Sequence, residues 1–127
     1  MGPTAASHSE REQTARAAVD SLGKHAGDHV ALMVTCPRSH HVAVVLATET
    51  GLVFRSVPAA HSHGRRDFVD TGHHGTNGRA WYDLLDPGDG PAVDDDLPAG
   101  CECGRRTLSR RLLREHVAAG ERHIVIE

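Results

Sequence analysis

All three cysteines of this 127-residue chain fall in two short turns, and that placement limits the folds open to it. Cys36-Pro37-Arg38-Ser39-His40 separates the apolar run 30–35 from the run 42–46. Cys101-Glu102-Cys103-Gly104 stands before an arginine-rich segment that patterns as a helix. Two short Cys/His pairs on turns, far apart in sequence, are how a small domain builds a closed tetrahedral zinc site. A tight turn aims two side chains at one centre, and its free backbone N–H groups can hydrogen-bond the thiolates.

The rest of the chain explains why such a cross-link would be useful. Hydrophobic residues make up 39% of the sequence and aromatic residues only 3%, so the core must be assembled from Val, Leu, Ile and Ala. That is a thin core for one domain of this length, and a metal would compensate for missing apolar burial. The first residues carry no apolar stretch of the kind that opens a secretory signal, and no run approaches the length of a membrane span. A reducing cytoplasm is the default expectation, and there cysteines serve as thiolate ligands more often than as disulfide partners.

Residues 1–28 read as a tail and a short helix, with Ser9 and Glu12 in capping-box spacing. Ala15, Ala18, Val19 and Leu22 share one face, and Gly23 is the stop. This apolar stripe is weak and predicts an appendage. Residues 29–127 read as a single α+β domain. Three β-rich segments over 30–58 predict an antiparallel meander, with a second turn at Glu49-Thr50-Gly51. A His- and Gly-rich loop follows at about 59–80, then Trp81 to Leu85 as an edge strand or one helical turn, then an acidic loop at about 86–100. Thr107 or Ser109 caps a helix whose core face is Leu108, Leu112, Leu113 and Val117, and residues 123–126 form a last strand. The expected fold is therefore a small antiparallel meander closed by a C-terminal helix and strand and pinned by one zinc.

At the two turns the chain resembles zinc-ribbon and treble-clef modules, whose knuckles typically read Cys-Pro-x-Cys-Gly. The likeness covers roughly residues 30–58 and 100–127. The first turn departs from the pattern by being longer and ending in His40 or His41, and the second by having one intervening residue. The resemblance implies that Cys36, His40, Cys101 and Cys103 hold one structural Zn2+, with His41 an alternative to His40. It also favours a treble clef, because the Cys-x-Cys pair stands before a helix. The plainer alternatives are ordinary buried cysteines, or redox chemistry between Cys101 and Cys103.

Two further constellations bear on function. His61, His63 and Asp67, with His73 and His74, have the residue types of a second, open metal site of the kind that activates water. They lie in a glycine-rich stretch with nothing evident to preorganise them, so a metal-dependent hydrolase or metal-handling protein is the rival reading. Arg105, Arg106, Arg110, Arg111 and Arg114 place five of the fourteen basic residues within ten positions. On a helix Arg110, Arg111 and Arg114 would form a basic stripe able to meet phosphates. The formal charge of −3 excludes a generally basic nucleic-acid binder and confines any such contact to a local patch. The sequence thus points to a non-enzymatic zinc-binding module contacting nucleic acid or a transcription or translation complex. It leaves the oligomeric state open.

Overall fold

The computed structural model describes residues 7–57, 80–87, 95–101 and 103–126. Five strands form one sheet: β1 (Val30–Thr35), β2 (His41–Thr48), β3 (Gly51–Ser56), β4 (Trp81–Leu84) and β7 (His123–Val125), in the order β4-β3-β2-β1-β7. Strands β5 (Asp96–Cys101) and β6 (Gly104–Ser109) form a separate antiparallel hairpin. The two helices are α1 (His8–Asp20) and α2 (Arg110–Ala118), and a 3-10 helix, Gly23–His29, joins α1 to β1.

The meander arises from the expected alternation. In β2, Val44 and Leu46 face one side while Ala43 and Val45 face the other, and all four are fully buried because β2 is central. The β2–β3 register runs from Ala43 opposite Ser56 to Thr48 opposite Gly51, closing through the Glu49-Thr50 turn. The last strand does join the same sheet, but it lies parallel to β1, with Val34 opposite Ile124. The sheet is therefore five-stranded, with one parallel edge.

Each sheet face carries its own cover. On one side Leu32, Val34, Val45 and Phe54 pack with Leu97, Ala99 and Leu108 of the hairpin and Leu113 of α2. On the other, Ala15, Ala18 and Val19 of α1 pack on Val44, Leu46, Val53, Val57 and Tyr82. Helix α1 is thus an integral layer, not an appendage. Its stripe reads as weak because it is made of alanine, yet alanine permits the close approach that a flat Val/Leu sheet face offers. The helix cap also lies two residues before the expected one, at Ser7 instead of Ser9. Ser7 accepts from the Glu10 N–H at 3.2 Å while Glu10 Oε1 accepts from the Ser7 N–H at 2.9 Å. That start brings His8 to stack on Trp81, with ring centroids 4.3 Å apart.

Two expectations fail between residues 95 and 109. The acidic loop ends early, because Leu97, Ala99 and Cys101 alternate as a strand with their side chains in the core. Arg105, Arg106 and Leu108 belong to β6 and not to the helix, which starts at Arg110 behind Ser109, the second of the two expected caps, whose Oγ accepts from the Leu112 N–H at 3.2 Å. Leu112 consequently points outward and is 54% exposed. Among the described residues no helix is long and apolar enough to cross a membrane.

A buried ionic cluster joins the layers at the β4 edge. Asp83 is fully buried; its Oδ1 accepts from Arg11 Nε of α1 at 2.8 Å, and its Oδ2 accepts from Arg110 Nη2 of α2 at 2.8 Å. Arg110 Nε also donates to Asp95 at 2.7 Å, and its Nη1 donates to the Leu84 carbonyl. Burial alone would push the Asp83 carboxyl up, but the hydrogen bonds and charges of Arg11 and Arg110 outweigh it and hold the group below its usual range.

Candidate metal centre

The β1–β2 turn positions the first donor pair. The Ser39 N–H donates to the Cys36 carbonyl at 2.8 Å, and the Cys36 N–H donates to the His40 carbonyl at 3.0 Å. Closing so tight a loop requires a left-handed residue, and Ser39 supplies it at φ 67°. The result places Cys36 and His40 side by side at the end of the central strands.

The β5–β6 hairpin positions the second pair. Cys101 is paired with Gly104, which leaves Cys103 in the turn between the two strands. Gly104 takes φ 134°, a region that side chains disfavour. Cys101, last on its strand, continues the inward Leu97-Ala99 alternation and is buried, while Cys103 in the loop is exposed. The hairpin is held over the sheet by its apolar face and by Ser56 Oγ, which donates to the Pro98 carbonyl at 2.6 Å. The two turns meet there.

Cys36, His40, Cys101 and Cys103 each offer one donor atom, and these four atoms lie within 4.8 Å of one another. Cys103 Sγ is 3.4 Å from His40 Nδ1. Metal–sulfur and metal–nitrogen bonds of zinc length imply tetrahedral edges of about 3.6–3.8 Å. The cluster needs little movement to close on an ion, and its Cys3His composition suits a borderline or soft metal. Cys36 and Cys101 are each 1% exposed, so two of the donors face away from water. His41 is turned elsewhere, with its Nδ1 3.0 Å from Met33 Sδ, which leaves His40 as the nitrogen donor.

The thiols are not electrostatically equivalent. Burial pushes Cys36 up, but backbone N–H groups of Arg38 and His40 and the thiols of Cys101 and Cys103 outweigh it, so the group sits below its ordinary value. Those N–H groups are the turn donors that stabilise a ligating thiolate. Burial raises Cys101; the backbone N–H of Cys103 opposes this, the Cys36 charge adds to it, and Arg106 favours the thiolate.

The five arginines do not form one face. Arg105 is exposed on β6, and Arg106 is half-buried on the opposite face of that strand. Arg110 is fully buried in the Asp83 cluster and cannot belong to a surface stripe. Arg111 is exposed and lies 3.4 Å from Glu115, and Arg114 is half-buried. Two of the five stand on a strand, and Arg110, one of the three members of the expected helical stripe, is drawn inward by two carboxylates. His61, His63, Asp67, His73 and His74 lie outside the described residues. Sequence reasoning missed Asp83, Arg11 and Asp95 as structural ions, and no local pattern distinguishes them from surface charges.

No protein-family model, no curated protein and no solved structure matches this chain.

Proposed function

We propose that the chain is a non-enzymatic, zinc-stabilised interaction module, and that its exposed arginines contact nucleic acid or a transcription or translation complex. The observation that carries this reading is the closed donor set. Four donor groups, two of them fully buried, would fill a tetrahedron around one ion and leave no position for a substrate or an activated water. Such a site cross-links the β1–β2 turn to the β5–β6 hairpin and stabilises a domain with few large apolar side chains. Both donor pairs sit on β-hairpins, which brings the chain closer to a zinc ribbon than to a treble clef, since the Cys-x-Cys turn is followed by a strand. The cytoplasmic setting follows from the need to keep three thiols reduced.

The basic surface is narrower than the sequence implied. Arg105 on β6 and Arg111 on α2 are its exposed members, and Arg114 on α2 is half-buried. If these three meet phosphates, binding to a duplex should fall with salt at a logarithmic slope of about −3. Arg105→Glu should weaken binding and reduce that slope by about one, with the fold unchanged.

Elemental analysis of the purified chain tests the metal half. One zinc in the wild type and none in Cys101→Ser supports the reading. Two metals, one of them lost on replacing His61 and His63 with Ala and accompanied by turnover, would support the metal-dependent hydrolase or metal-handling alternative. No metal in the wild type sinks the central claim.

A further inference from the structure

Arg106 carries two buried polar atoms, Nε and Nη1, that have no hydrogen-bond partner among the described residues. Desolvated donors on a permanently charged group are costly, and their presence calls for an anionic partner. The hairpin register shows where that partner lies. Cys101 is opposite Gly104, and Ala99 is opposite Arg106. Residues directly opposite point to the same side of a sheet, and alternate residues on one strand share a face. Ala99, Cys101, Gly104, Arg106 and Leu108 therefore share the inward face, on which Ala99, Cys101 and Leu108 are buried. Arg106 and Cys101 are diagonal neighbours, a separation that a long side chain spans. Gly104, the residue between, adds no side chain to obstruct the approach.

We propose that Arg106 is the counter-ion of the metal centre, neutralising the net negative charge of a divalent ion held by three thiolates and one imidazole, with Nε–H and Nη1–H donating to cysteine sulfur. The inference rests on the zinc reading above. The charge arithmetic is simple: three thiolates, a neutral imidazole and a divalent ion sum to −1, and one guanidinium cancels it. Arg105, one residue away and exposed on the other face, has no such role. Arg106 thus leaves the candidate nucleic-acid surface and becomes a positioning residue for the metal.

The test uses the full chain, titrated with Zn2+ and Co2+ against a competing chelator, for wild type, Arg106→Met, Arg106→Gln, Arg106→Lys and Arg105→Met. Arg106→Met and Arg106→Gln should weaken metal binding about 10- to 100-fold. Arg106→Lys should recover part of that loss by restoring the charge, and Arg105→Met should match the wild type. Removing N–H donors from a thiolate raises its electron density, so the sulfur-to-cobalt charge-transfer band should move to lower energy in the Met and Gln variants. Binding within about threefold of wild type in both variants would overturn the inference while leaving the metal centre intact. Weaker binding with no band shift and no recovery by Lys would reduce Arg106 to a packing role and overturn it too. A wild type that binds neither metal would remove the zinc reading itself.

Discussion

Replacing Asp83 with Asn is the smallest change that should damage this fold severely. Both oxygens of Asp83 are fully engaged. Oδ1 accepts from Arg11 Nε and from the Leu84 N–H, each at 2.8 Å, and Oδ2 accepts from Arg110 Nη2 at 2.8 Å and Arg11 Nη2 at 3.2 Å. In the amide, one of these acceptors becomes an NH2 donor facing other donors, and the negative charge between two guanidinium groups disappears. Removing one partner of a buried ion pair costs about 3–5 kcal/mol. Arg110 keeps Asp95, which is 46% exposed at its side chain and so screened, and this argues for the lower end. A loss of about 3 kcal/mol is a large part of the stability of a small domain and should lower Tm by about 12 °C.

The assay is denaturant unfolding of metal-loaded protein, with Arg105→Ala as a surface control expected within about 0.5 kcal/mol of wild type. The pH dependence adds a second readout. The folded-state carboxyl is depressed, so its stabilisation is fully present above its ordinary unfolded value, about 3.9, and is lost as pH falls through the lower folded value. The gap between wild type and Asp83→Asn should narrow in that acidic window, while metal loss affects both proteins alike. A deficit below about 1 kcal/mol at neutral pH would refute the idea that this ion joins the two layers.

Three other perturbations follow from the same geometry. Arg110→Glu, which a helical basic stripe would have made a mild surface change, places a carboxylate against Asp83 and Asp95 and should leave the chain insoluble or unfolded by circular dichroism. Gly104→Val forces a branched side chain to φ 134°; no atom would clash with its Cβ, so the cost is conformational, about 1–3 kcal/mol, read as weaker metal retention against a chelator. His40→Gln should lose the metal while His41→Gln keeps it, measured by elemental analysis, because His41 faces Met33.

The parts of the fold that were legible in the sequence are those fixed by local chemistry. Cys36 and His40 flank a short turn between two β-rich runs, and Val44, Leu46, Ala43 and Val45 alternate cleanly, so β1 to β3 and the donor turns are where their residues put them. The misplaced parts depend on distant partners. Arginine favours helices in isolation, and the Arg105-Arg106-Thr107 stretch became a strand because Leu97, Ala99 and Cys101 needed a partner edge beside the sheet. Arg110 turned inward because Asp83, 27 residues earlier, waits there. No window of sequence contains both.

Helix α1 gives the sharpest contrast between a local and a tertiary reading. A weakly amphipathic stripe predicts a helix that docks loosely, so changing it should leave the unfolding transition of the domain untouched. In the structure Val19 is fully buried among Val44, Leu46, Val53 and Tyr82, which makes the helix part of one cooperative unit. Val19→Ala removes two methyl carbons at about 0.8 kcal/mol each and leaves a cavity that the flat sheet face cannot fill, for a total of about 2 kcal/mol. Helical and tertiary signals should then melt together at a lower denaturant midpoint. Separate transitions, with the sheet signal unchanged in the variant, would return α1 to the status of an appendage and leave the Arg11–Asp83 contact without a role in folding.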